Sequence, residues 1–148
     1  MVENGKKWEK MGKVTKSGFF LGEYRYRLDD KNRLLLPKRI RVEIDAFEVV
    51  LSKGFEPYIA GFDIERWRRM SQEPLSIPGY EEKGRQLRRQ IFASAVILEL
   101  DSLGRMVLPE SLVRWAHLEE SKGKELVVIG AGDHFEIWTE TNWKQYLK

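Results

Sequence analysis

A ten-residue repeat constrains this chain more than any other feature. Leu28-Asp29-Asp30-Lys31-Asn32-Arg33-Leu34-Leu35-Leu36-Pro37 returns 72 residues later as Leu100-Asp101-Ser102-Leu103-Gly104-Arg105-Met106-Val107-Leu108-Pro109. Leu, Asp, two flanking sites of apolar packing and the Arg are placed alike, and Leu28, Asp29, Arg33, Leu36 and Pro37 have identical counterparts. A duplicated unit of this size buries its apolar face best against its own copy, so two halves around one core are expected. A chain of 148 residues has room for that and little more.

The two halves read alike beyond the loop. Tyr24, Tyr26 and Leu28 alternate with Glu23, Arg25 and Arg27, the period of a half-buried strand. Arg33-Leu34-Leu35-Leu36 returns as a second strand after the polar tetrapeptide Asp29 to Asn32, which predicts a β-hairpin. The loop asks for a residue at positive φ. Gly104 prefers that conformation and Asn32 tolerates it. Asp29 and Asp101 are placed to accept loop N–H groups as Asx-turns. Pro37 and Pro109 suit the first turn of short helices near 37–44 and 109–116.

Val49-Val50-Leu51, Leu126 to Ile129, Tyr58 to Phe62 and His134 to Trp138 read as further strands. A helix closes each half, capped by Asp63 or Thr139, with Trp67 or Trp143 four residues on. Repeat one spans about 19–70 and repeat two about 91–146, with four extra residues before the middle strand of repeat two. Ser71 to Gly79, with Pro74 and Pro78, reads as a linker, and Tyr80 to Ser94 as a helix running into repeat two.

Charge narrows the function classes. The net charge of +3 lies entirely in residues 1–18, where Lys6, Lys7, Lys10, Lys13 and Lys16 face only Glu3 and Glu9. This arm reads as disordered, either solvated or adding non-specific phosphate contacts. The remainder is neutral overall, so any anionic partner must be met by local patches. No apolar run suits a membrane span, the N-terminus lacks the pattern of a secretory signal, and cysteine is absent. A reducing cytoplasm is therefore allowed.

Arg33 and Arg105 lead the candidates for chemistry. Each leaves a tight loop, where a guanidinium can bond two acceptors in a plane, as on phosphate or the O6/N7 edge of guanine. Pairing with Asp29 or Asp101 to staple the loop is equally open, and one carboxylate can orient an arginine that also meets nucleic acid. Lys31 is in the first loop, and Lys38, Arg39 and Arg41 follow Pro37 as possible phosphate contacts or a solvated helix face. The second copy has Leu103, Glu110, Ser111 and Val113 at these places. Its strand, Ala95-Val96-Ile97-Leu98, is apolar on both faces and reads as more buried or as a subunit contact.

Other signals are weaker. Arg85, Arg88 and Arg89 share a helical face, read as solvated or subunit-pairing. Leu126 to Gly132 imitates the start of a dinucleotide fingerprint, but Phe135 stands where the third glycine belongs. His117 and His134 are isolated, and His134 reads as structural. No catalytic, metal or cofactor constellation stands out.

Phe20-Leu21-Gly22-Glu23-Tyr24-Arg25, the two loops, and Gly130-Ala131-Gly132-Asp133-His134-Phe135-Glu136-Ile137-Trp138 resemble the MraZ family of bacterial regulators, over about 19–146. The resemblance implies an α+β fold: a pseudo-two-fold β-barrel of two intertwined AbrB-like β-α-β repeats with flanking helices. It implies a ring-shaped homo-oligomer, with an octamer as one candidate size, in the cytoplasm at the nucleoid. Its partner would be promoter DNA with short direct repeats, in the division and cell-wall gene cluster. Carried over, the DNA contacts are Lys31, Asn32 and Arg33, with Gly104 and Arg105. Asn32 departs from the glycine usual in the family, and the arm 1–18 is an extension. An antitoxin-like protein-interaction module is the alternative.

Overall fold

The computed structural model describes residues 15–45, 47–121, 123 and 125–147. Among these residues, eight strands and five helices follow one another in two similar series. The first is β1 (Glu23–Arg27), β2 (Arg33–Leu35), α1 (Lys38–Arg41), β3 (Glu48–Lys53), β4 (Ile59–Phe62) and α2 (Ile64–Ser76). After α3 (Glu82–Phe92) come β5 (Val96–Glu99), β6 (Arg105–Val107), α4 (Glu110–Trp115), β7 (Glu125–Gly130), β8 (Phe135–Thr139) and α5 (Glu140–Tyr146). A 3-10 turn at Leu118–Ser121 occupies the extra length of the second series.

The halves are intertwined. Six strands form one sheet in the order β1-β7-β8-β4-β3-β5, so each half gives its first strand to an edge of the sheet. β1 lies antiparallel to β7 of the other half, and β5 to β3. β2 and β6 leave this sheet and form a separate two-stranded ribbon. Its central pair is Leu34 with Met106, the equivalent residues of the two repeats. Where β4 meets β8, Ala60 pairs with Glu136 midway between Ile59–Ile137 and Gly61–Phe135. A pseudo-two-fold axis thus relates the halves at both places.

Alternation distributes the side chains between two cores. Val49, Leu51, Leu126 and Val128 face the main core with Leu34, Leu36, Met106 and Leu108. Val50, Val127 and Ile129 face the other way, where Trp67, Met70 and Trp143 cover them. Both faces of β3 and β7 are covered, which is why Val49–Leu51 and Leu126–Ile129 are apolar on successive residues. Leu34 and Met106 are 0% and 1% exposed. Each such burial is worth roughly 2 kcal/mol in water removal alone.

The helix signals act as expected. Asp63 accepts a hydrogen bond from the Arg66 N–H and Thr139 from the Asn142 N–H. Helices α1 and α4 begin directly after Pro37 and Pro109, but α1 is a single turn. Asn32 and Gly104 both adopt positive φ, 58° and 85°.

Several expectations are corrected. Strands β1 and β2 do not form a hairpin ladder: each finds its partner in the other half. The turn itself is local, since the Asn32 N–H donates to the Asp29 carbonyl at 3.2 Å. Burial against the other repeat selects the strand partner. Residues Ser71 to Ser76 belong to α2 rather than to a linker, and Pro74 lies inside its last turns. Strand β5 is not more buried than β1: both are half-buried edges, and Ile97 is 63% exposed.

Most of the basic arm lies outside the described residues, and its end is held firmly. Lys16 pairs with Asp45 at 2.7 Å. The N–H groups of Ser17 and Gly18 donate to the Glu43 carboxylate at 2.7 and 3.0 Å. Arg66 reaches the same carboxylate at 3.2 Å, donates to the Gly18 carbonyl at 2.7 Å and lies over the Phe20 ring. Glu43 and Arg66 are buried. This cluster belongs to the first half alone.

Candidate nucleic-acid interface

The β2–β6 ribbon assembles the predicted loops. Because side chains alternate across a strand, Leu34 and Met106 point into the core, while Arg33, Leu35, Arg105 and Val107 share the outer face. Arg33 lies opposite Val107 and Leu35 opposite Arg105. The two arginines therefore stand on a diagonal, roughly 8–9 Å apart between Cα atoms by ordinary strand spacings. Leu35 and Val107 lie between them, and Val107 is 58% exposed.

Each loop holds its arginine in the same way. One oxygen of Asp29 accepts from the N–H groups of Lys31 and Arg33 at 2.9 and 2.8 Å, and the other accepts from Arg33 Nε at 2.7 Å. Asp101 repeats this with the N–H groups of Leu103 and Arg105 at 2.9 and 2.8 Å and with Arg105 Nε at 2.8 Å. Among the described residues, the terminal nitrogens of both guanidinium groups make no hydrogen bond. Stapling and presentation are therefore one arrangement: Nε is bound, and the planar outer edge points onward from a fixed base.

The carboxylates are tuned accordingly. The Arg33 backbone N–H, then its guanidinium and the Lys31 N–H, hold the Asp29 carboxyl below the usual range. Burial pushes the Asp101 carboxyl up, but the Arg105 and Leu103 N–H groups and the Arg105 guanidinium outweigh it, and the result is again lower. Both carboxyls thus hold their charge to lower pH than an ordinary aspartate does.

The loops also bond to one another. The Leu36 N–H donates to the Gly104 carbonyl at 3.1 Å, and the Leu108 N–H to the Asn32 carbonyl at 2.8 Å. Each positive-φ residue is thus anchored by the opposite repeat, which ties the two arginines into one rigid unit.

The other basic candidates separate. Lys31 and Arg39 are exposed and Lys38 is half-buried, all on the side of the first loop. Arg41 is only 4% exposed and donates to the Leu36 carbonyl at 2.8 Å. It is not a surface phosphate contact, because a single-turn helix seats it under the ribbon. Arg85 donates to the carbonyls of Gly79 and Tyr80, and Arg88 to those of Leu75 and Ile77. These two arginines close the α2–α3 joint rather than form an open basic face.

The glycine-rich stretch is structural. The Phe20 N–H donates to the Gly132 carbonyl and the Gly130 N–H to the Gly22 carbonyl, both at 2.8 Å. A Cβ at Gly130 would lie 2.2 Å from the Leu21 nitrogen. These glycines admit the N-terminal segment, not a pyrophosphate. His134 is not isolated: Nδ1 lies 2.7 Å from Asp133 and Nε2 2.7 Å from Glu136, and its ring stacks on Phe62. His117, at positive φ, lies 3.4 Å from Asn142. Among the described residues, no group of three His, Cys, Asp or Glu is placed to hold a metal ion. None of the described helices is long and apolar enough to cross a membrane.

Reasoning on the sequence missed Leu35 and Val107 as the apolar centre of this face. Their alternation with buried Leu34 and Met106 was a sufficient signal. It also missed the inward role of Arg41, for which a four-residue helix offers no periodicity.

A family model described as "MraZ protein, putative antitoxin-like" matches residues 19–90 and again 91–148. The chain is 36% identical over 128 residues to a protein of Roseiflexus sp. named "Transcriptional regulator MraZ", covering 86% of each. A protein of the same name from Roseiflexus castenholzii is 38% identical over 130 residues, again covering 86% of each. One from Moorella thermoacetica is 35% identical over 129 residues, covering 87% of each. The chain belongs to the MraZ family, which is not a family of enzymes.

Proposed function

We propose that this MraZ-family chain is a transcriptional regulator that binds duplex promoter DNA at short direct repeats through the outer face of the β2–β6 ribbon. The observation that carries the reading is the pair of arginines, each bound at Nε and open at its outer edge. Such an edge fits a guanine O6/N7 pair or a phosphate, and a two-stranded ribbon fits the major groove. Arg33 and Arg105 take the base-reading role, with Lys31, Asn32 and Gly104 shaping the approach. Lys38 and Arg39 serve phosphates beside the first loop, which makes that loop the stronger electrostatic contact.

Copies assembled in a ring, for instance of eight, would present their ribbons in the same sense. That arrangement suits direct repeats rather than palindromes, and weak single contacts then add through effective concentration. The exposed Ile97 on edge strand β5 supports a contact between copies. In this reading the sheet and ribbon are two walls of one pseudo-barrel, the protein works in the cytoplasm at the nucleoid, and its targets include the division and cell-wall gene cluster.

Footprinting on promoter fragments tests the reading, with Arg33→Ala and Arg105→Ala beside the unaltered protein. Each substitution is expected to weaken binding by roughly 1–3 kcal/mol per engaged base contact, with folding retained. If both variants protect the same repeats at the same concentrations, the ribbon is not the reading surface. A single stoichiometric protein partner and no DNA would point to an antitoxin-like module instead.

A further inference from the structure

The two loops are supported differently, although their backbones match. At Gly104, immediately before Arg105, an added Cβ would lie 2.6 Å from Cδ of Arg41 and 2.8 Å from its Nη1. The Arg41 side chain therefore lies flat against the Gly104 backbone. The same Nη1 donates to the Leu36 carbonyl at 2.8 Å, and the Leu36 N–H donates to the Gly104 carbonyl at 3.1 Å. One buried side chain from the first repeat thus braces the loop of the second from two sides. The first loop has no such brace at the matching place: the counterpart of Arg41 is Val113, and the counterpart of Gly104 is Asn32.

We propose that Arg41 is a positioning residue for DNA recognition, acting through Gly104 to fix the aim of Arg105 and leaving Arg33 to its own loop. The inference rests on the ribbon being the DNA-reading face. Its physical basis is steric and local. Gly104 sits at φ +85° with no side chain of its own, so the space above it must be filled for the turn to hold one geometry. Arg41 fills that space with a long side chain held in place by the carbonyl of Leu36. Val113 is too short to do the same, and in the first loop Asn32 supplies its own side chain. The large residue stands over the glycine loop, and the small one is matched with the asparagine loop. A role beneath the ribbon also accounts for a basic residue of α1 lying buried rather than on the surface.

The test is a set of double-variant cycles on promoter DNA containing the footprinted repeats. Affinity is measured for the full chain, for Arg41→Val, Arg33→Ala and Arg105→Ala, and for Arg41→Val combined with each alanine variant. Thermal unfolding is recorded alongside. Arg41→Val is expected to weaken binding roughly tenfold, a fraction of the discrimination a well-placed bidentate arginine supplies. The loss should remain in the Arg33→Ala background and shrink to below about twofold in the Arg105→Ala background, because coupled residues are non-additive. Equal losses in both backgrounds would overturn the proposal while leaving the ribbon reading intact. An Arg105→Ala variant that binds like the unaltered protein would overturn the proposal, and the ribbon reading falls with it only if Arg33→Ala also binds unchanged. If Arg41→Val does not fold, Arg41→Lys retains the charge but loses the planar fork. The same background dependence is then expected, and equal losses or no loss overturn the proposal.

Discussion

Glu43→Ala should be among the most damaging single substitutions in this chain, although Glu43 lies outside the proposed interface. The Glu43 side chain is 1% exposed and that of its partner Arg66 is 8% exposed. Removing the carboxylate strips the acceptor from the N–H groups of Ser17 and Gly18 and from Arg66. Breaking a buried ion pair from one side costs roughly 3–5 kcal/mol, mostly because the remaining charge loses its partner. Here Arg66 keeps Asp63 at 3.2 Å and the carbonyls of Glu43 and Gly18 at 3.1 and 2.7 Å, so the lower end applies. About 3 kcal/mol corresponds to a fall of roughly 6–12 °C in Tm for a chain of this size. Urea and thermal unfolding of Glu43→Ala, Arg66→Met and the double variant give the assay. The double variant should cost less than the sum of the singles by about 1–3 kcal/mol, since each single leaves a group that the other removes. A loss below about 1 kcal/mol for Glu43→Ala, or strict additivity, would refute the reasoning.

Two further outcomes follow from the central strands. Burial pushes the His134 imidazole down, but hydrogen bonds to Glu136 and Asp133 outweigh it and raise its pKa above the ordinary 6.5. Its stabilisation is therefore complete below about 6.5 and is lost as pH rises through the raised value. Thermal unfolding should show His134→Gln less stable than the unaltered protein at pH 6 and the gap narrowing towards pH 9; a gap independent of pH would count against the charged bridge. Gly61→Ala should destabilise the fold by at least about 1–3 kcal/mol, because an added Cβ would lie 2.2 Å from the Phe135 ring at the β4–β8 junction. Denaturant titration checks this, and an unchanged midpoint would show that the ring has room to move.

Much of the local structure was legible because its causes are local. Asn32 and Gly104 at positive φ, Asp29 and Asp101 bonding their own loops, and the caps at Asp63 and Thr139 each involve residues within four positions of one another. The repeat also implied two halves, and the apolar alternation implied the strands. What stayed hidden depends on contacts across the chain. An alternating strand exposes the same backbone donors to any partner, so nothing in Glu23–Arg27 says that it pairs with Glu125–Gly130 rather than with its neighbour Arg33–Leu35. Glu43 and Arg66 are 23 residues apart, and no pattern links them.

By itself, then, the sequence determined a duplicated fold with two arginine-bearing loops, because repetition and turn chemistry are written in adjacent residues. Tertiary structure decided that the loops meet as one ribbon, that Leu34 and Met106 are its buried centre, and that Arg41 turns inward while Arg33 and Arg105 turn out. The physical reason is burial: which face of a short strand or a one-turn helix leaves water is settled only when the other half packs against it.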